Sequence, residues 1–203
     1  MRSILWAVLL CVSPTVFMAA QTPVDDTKTP QAPATQTSTY VRPNGKVRFN
    51  KYVKDMFGPA AIIKAVGNAG ISTANSSPTE WGPHWDGFGK RVASNFGRDI
   101  ISNTVKYGLD EAFTLDSRFY PSKKRDVRSR ISNAVMSPVT TRNENGKRVL
   151  GFPHIIGVYT AGVVAAETWY PARYTYKDGL KMGSISLGMS AVYALVKEFI
   201  HKK

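Results

Sequence analysis

Residues Glu80 to Asp86, EWGPHWD, place a carboxylate, an imidazole and a second carboxylate beside two indoles. Such a set suits general acid–base work, with His84 as the base and Asp86 or Glu80 orienting its ring. Glu167, an acid within an otherwise apolar helix, would join them, and this is the reading as an envelope hydrolase. Acid–base sets on loops need convergent geometry that spacing alone does not supply. The favoured reading is therefore a turn in which Trp81 and Trp85 plug the core and His84 lies at the surface. Glu167 then pairs with a buried base such as Arg173 or Arg91.

Other chemistry finds little support. His84, His154 and His201 are far apart and no HxxxH or HExxH occurs, so no metal site is expected. There is no GxSxG, P-loop or GxGxxG, and Gly87-Phe88-Gly89 lacks the rest of a dinucleotide fingerprint. No cofactor is expected. The densest basic cluster is Arg118, Lys123, Lys124, Arg125, Arg128 and Arg130, broken by the single acid Asp126. It reads as an anion-binding patch or as a solvated helix surface.

The elements that must position these residues follow from the rest of the chain. Arg2, the apolar run Ile4 to Val12 and the small residues before Gln21 have the order of a secretory signal peptide over residues 1–20. Removing it removes Cys11, the only cysteine, and with it any disulfide or thiolate site. Residues 21–44 form a Pro/Thr/Gln-rich leader that cannot bury enough apolar surface to order itself. Residues 45–203 suffice for one domain with a real core. The formal charge of +13 falls to +12 without Arg2, and the leader is balanced, so the excess sits on the folded part. Such a field favours an anionic lipid or envelope polymer, and export disfavours nucleic acid.

Helical patterns cover about Asn50 to Ala74, broken at Pro59, then Asp86 to Phe113, a segment after Ser122 that Pro138 stops, Pro153 to Trp169, and Asp178 to His201. Val127, Ile131 and Val135 line one face of the third. Val139 to Arg142 and Arg148 to Leu150 flank an Asn-Gly turn and read as a hairpin. The fold class is mainly α: a compact, glycine-rich bundle of about five helices with one short β-hairpin.

Small residues recur in fours. Gly89, Ala93 and Gly97 do so in the longest helix, and Gly157 with Ala161, and Gly179 with Gly183, in the last two. A stripe with period four drifts by about 40° per repeat around a helix of 3.6 residues per turn. It therefore needs partners crossing at an angle, and glycine lets their backbones come close. Membrane helices use the same spacing. Val149 to Ala166 is free of formal charge, as is the shorter Met182 to Val196, and the aromatic, basic loop between the two helices suits a membrane interface.

EWGPHWDGFGKRVASNFG, DSRFYPS, GFPHIIGVY and TWYPARYTYKDGLKMGS together resemble a family of uncharacterised exported bacterial proteins. Its members share a W-G…G-F/Y-G-K-R segment, a D-x-R-Y/F-x-P turn and a W-Y-P segment. The resemblance spans most of the chain after the leader. It implies a single, mostly helical envelope domain and carries over no catalytic residue. The expectation is a non-enzymatic protein of the periplasm or an envelope membrane, with a structural or interaction role against an anionic surface. A soluble homo-oligomeric periplasmic protein is the further alternative.

Overall fold

The computed structural model describes residues 40–124 and 126–200. The expected signal peptide, most of the leader, Arg125 and His201 lie outside these residues. The order is α1 (Gly45–Phe57), α2 (Pro59–Ala74), α3 (Trp85–Ala112), α4 (Val127–Met136), β1 (Thr140–Arg142), β2 (Arg148–Leu150), α5 (Phe152–Thr168) and α6 (Tyr176–Ile200). Short 3-10 turns at Thr79–Trp81 and Ser137–Val139 complete it. The mainly helical bundle with one hairpin is as the periodicity implies.

Local chemistry sets the ends of the elements. Asn44 caps α1 by accepting from the Val47 N–H. Pro59 opens α2 at a position where its missing N–H does no harm. Asp126 caps α4, accepting from the Ser129 N–H at 2.9 Å. The hairpin pairs Thr140 with Leu150, Thr141 with Val149 and Arg142 with Arg148.

Helix α3 is the spine. Helices α2 and α5 pack on it, α6 packs on α5, and α4 crosses α6. Ala61, Ala65 and Ala69 are the buried residues of α2, and Asn95 of α3 reaches the Ala65 carbonyl. The α3–α5 and α5–α6 seams are closed by glycine. A Cβ on Gly157 would stand 2.6 Å from the Ser102 carbonyl oxygen, and one on Gly183 would stand 3.0 Å from the Tyr159 Cα. One on Gly179 would meet the Val163 Cα at 2.6 Å. Ala161 is buried in the same α5 face.

The stripe on α3 behaves differently. Gly89 and Ala93 are exposed, nothing lies within 4 Å of a Cβ on Gly89, and Gly97 meets only the Trp169 ring. The drift of a four-residue period carries the stripe out of contact, so Gly89 and Ala93 pack no helix. The buried positions of α3 are Gly87, Arg91, Ser94, Asn95 and Ser102.

The core is correspondingly small in side chain. Eleven apolar residues are buried among those described, and eight are alanines. The large aliphatics lie outside: Ile62, Ile63, Val66 and Ile71 on α2, and Leu180, Ile185, Val192, Val196 and Ile200 on α6. Val127, Ile131 and Val135 of α4 also face outward.

Candidate functional site

The loop from Glu80 to Asp86 is built around Arg91. This guanidinium is 1% exposed and donates to the carbonyls of Ser77, Pro78 and Gly82 at 2.9, 2.7 and 2.7 Å. Gly87 is required beneath it, because a Cβ there would collide with the Trp81 and Gly82 carbonyls. Glu80 pairs with Arg173, and Asp86 stands 3.7 Å from Lys90. His84 is the exposed cap position of α3 and Glu167 is exposed. No hydrogen bond or ion pair joins His84, Asp86, Glu80 and Glu167 among the described residues, so the loop brings no acid–base set together. Trp81 packs on Tyr170, with ring centres 5.0 Å apart, but Trp85 is 86% exposed and plugs nothing. The bases proposed for Glu167 are engaged elsewhere, Arg91 with carbonyls and Arg173 with Glu80. His154 shares a hydrogen bond of 3.2 Å with Ser190 between α5 and α6.

The basic cluster divides. Arg130 turns to Glu198, a carboxylate 2% exposed that also accepts from the Ser122 N–H and from Asn133. Arg118 turns to Asp116. Two of the six expected anion-binding residues are thus engaged by buried carboxylates, while Lys123, Lys124 and Arg128 remain on the surface.

Asp116 is the centre of the most concentrated polar site. It lies in the extended segment after α3 and bridges to β1, with its N–H donating to the Arg142 carbonyl at 2.8 Å and its carbonyl accepting from the Arg142 N–H at 3.1 Å. The chain there is held by Ser117, whose hydroxyl donates to Asp110 at 2.7 Å. The Asp116 carboxylate is itself buried. Oδ2 accepts from the hydroxyls of Tyr40 and Tyr120, each at 2.6 Å, and from Arg118 Nη2 at 2.9 Å. Oδ1 accepts from the backbone N–H and Nε of Arg118 at 3.1 and 2.9 Å. The Arg142 guanidinium lies 4.4 Å from the Tyr120 ring centre.

Electrostatics follow from this geometry. Burial alone would raise the Asp116 carboxyl, but hydrogen bonds from Arg118, Tyr120 and Tyr40 outweigh it and take it down to about 2. Burial and then Asp116 push the Tyr40 and Tyr120 phenols up. The depressed carboxyl and the raised phenols suit a structural clamp, with Asp116 held ionised and both tyrosines held as hydrogen-bond donors.

Tyr40 and Arg42, expected within the disordered leader, are fastened to the end of α3 and the turn after it. Besides Tyr40, Arg42 donates to the Asp110 carbonyl at 2.9 Å and Arg48 grips Glu111 with two bonds of 2.6 Å. The folded part thus reaches back to Tyr40. The Asp116 hub is not among the site residues expected from the sequence. Its D-x-R-x-Y alternation places Asp116, Arg118 and Tyr120 on one side of an extended strand, and that was the available signal.

Between this turn and the hairpin is a notch of about 10 Å³, lined by Asp116, Arg118, Tyr120, Ser137, Arg142 and Arg148 among others. That is room for about one water or one ligand oxygen. Three guanidinium groups surround it against one carboxylate.

The W-G…G-F-G-K-R, D-x-R-F-x-P and W-Y-P segments are three structural knots. Trp81, Gly82 and Arg91 close the first loop, Asp116, Arg118 and Tyr120 the second. In the third, Trp169 donates to the Ser94 hydroxyl at 2.9 Å while Tyr170 packs at a tilt against Trp81. No protein-family model, curated protein or solved structure matches the chain.

Proposed function

We propose that this is a non-enzymatic protein of the cell envelope that seats the apolar outer faces of α2 and α6 against lipid and presents its basic residues to anionic headgroups. The observation that carries this reading is the inversion of side-chain size. Alanine and glycine fill the interior, while Ile63 and Ile200 are each 72% exposed and Ile185 is 66% exposed. Burying one such side chain is worth about 1.5–3 kcal/mol in water, which this fold forgoes repeatedly. Close packing through small residues with large aliphatics outside is how helices associate in lipid. Helix α6 is long and apolar enough to cross a membrane by length and composition, and only 17% of its apolar 18-residue stretch is buried. A core helix of the same composition would be mostly covered.

The test is fractionation of the native host, with membranes washed in high salt and then in carbonate. Retention in the washed pellet is expected. Complete release into a detergent-free soluble extract as a defined oligomer would sink the lipid reading and make the apolar faces subunit contacts.

A further inference from the structure

We propose that the notch between the Asp116 turn and the β-hairpin binds one phosphate group, gripped by the Arg142 and Arg148 guanidinium groups with the Ser137 hydroxyl as a further donor. The proposal names the headgroup chemistry of the reading above and rests on that reading only for the source of the phosphate.

The hairpin register is the first ground. Arg142 and Arg148 are directly opposite each other across the two strands. Like charges at such positions destabilise a hairpin. Neither has a carboxylate partner among the described residues. Arg142 donates to the Gly146 carbonyl at 3.2 Å, and Arg148 donates to Asn133 Oδ1. N–H groups on both forks remain for a ligand. Burial, and then the charge of Arg142, hold the Arg148 guanidinium below its ordinary value. An anion between the two would relieve that repulsion.

The second ground is the composition of the notch. Its one carboxylate, Asp116, already accepts from Arg118, Tyr40 and Tyr120 and is thereby compensated. The positive excess of the remaining two arginines is left facing the opening. Ser137 adds a hydroxyl at the rim.

Size and shape select the ligand. A space of about 10 Å³ admits one oxygen and leaves the rest of the group at the surface. The two guanidiniums approach from different strands. A tetrahedral phosphate offers oxygens in several directions, one toward each guanidinium and one toward the hydroxyl, where the two oxygens of a carboxylate lie in one plane. A phosphate exposed on its outer side can equally be inorganic phosphate or the phosphate of a lipid headgroup.

The experiment is calorimetric titration of the full chain with sodium phosphate, against sodium chloride and sodium acetate at matched ionic strength. Saturable binding of phosphate is expected, at least tenfold weaker in Arg148→Gln and less impaired in Arg148→Lys, with circular dichroism unchanged in both. Equal binding by wild type and Arg148→Gln, equal binding of acetate, or no saturable heat would overturn the proposal. Flotation with phosphatidylglycerol vesicles separates the sources. Loss of flotation in Arg148→Gln assigns the phosphate to the headgroup. Unchanged flotation with lost calorimetric binding assigns it to a soluble phosphate. Phosphate binding by a wild type that does not float keeps this site and removes the membrane reading.

Discussion

Tyr40 and Asp116 are 76 residues apart in the chain and joined by a hydrogen bond of 2.6 Å. The bond fastens the first described residue to the turn that also carries the hairpin. It predicts a sharp boundary for truncation. A chain beginning at Gly45 should have a thermal midpoint several degrees below one beginning at Tyr40. Tyr40→Phe alone is expected to lose about 1.5–3 kcal/mol, the range for hydrogen bonds to charged groups, in urea unfolding.

Asp116 itself gives a pH test. Its folded carboxyl lies at about 2 against an ordinary value of 3.8. A depressed pKa stabilises the folded state fully above the ordinary value, and this contribution is lost as pH falls through the folded one. Wild type should therefore lose about 2 kcal/mol between pH 5 and pH 2 from this group. Asp116→Asn should be less stable at pH 7, by about 3–5 kcal/mol as for a broken buried pair, and should show a flatter acid limb. The same acid sensitivity in wild type and variant would contradict the assignment to Asp116.

The glycines separate packing from propensity. Gly89 is exposed with open space at its Cβ, so Gly89→Ala should stabilise the chain by up to about 1 kcal/mol. Gly183 faces the Tyr159 backbone, and Gly183→Ala should destabilise by about 1–3 kcal/mol through overpacking. Chemical denaturation of the two variants measures both signs.

The lipid-facing reading predicts a separation of stability from partitioning. Ile185 is exposed on α6, so Ile185→Asn should change unfolding free energy little while reducing retention in carbonate-washed membranes. Charge reversal at Lys123, Lys124 and Arg125 should weaken flotation with anionic vesicles, as should high salt. Binding indifferent to both salt and reversal would exclude the basic surface from the contact.

The positions of the helices were legible in the sequence because their signals are local. Pro59 and Pro138 mark breaks, Asn-Gly marks the hairpin turn, and apolar periodicity fills the lengths between. The glycines of α5 and α6 were also readable as close seams, since a GxxxG on an apolar helix has few other uses. The stripe of α3 was not, because the same spacing on a polar helix does not say which side meets a partner.

What the sequence by itself determined was the class of structure: a helical bundle of small-residue seams, one hairpin and an excess of positive charge. These depend on neighbours within a few residues and on composition. The tertiary structure alone decided which charges are available. Arg118 and Arg130 lie in one basic run with Lys123 and Lys124, yet Asp116 and Glu198 draw the two arginines inward. Arg142 and Arg148 gave no cluster in the chain but face each other once the hairpin closes. It also decided which side of α2 and α6 is covered. A partner's distance in sequence leaves no periodic trace, so burial of a charge or exposure of an isoleucine appears only when the helices are packed.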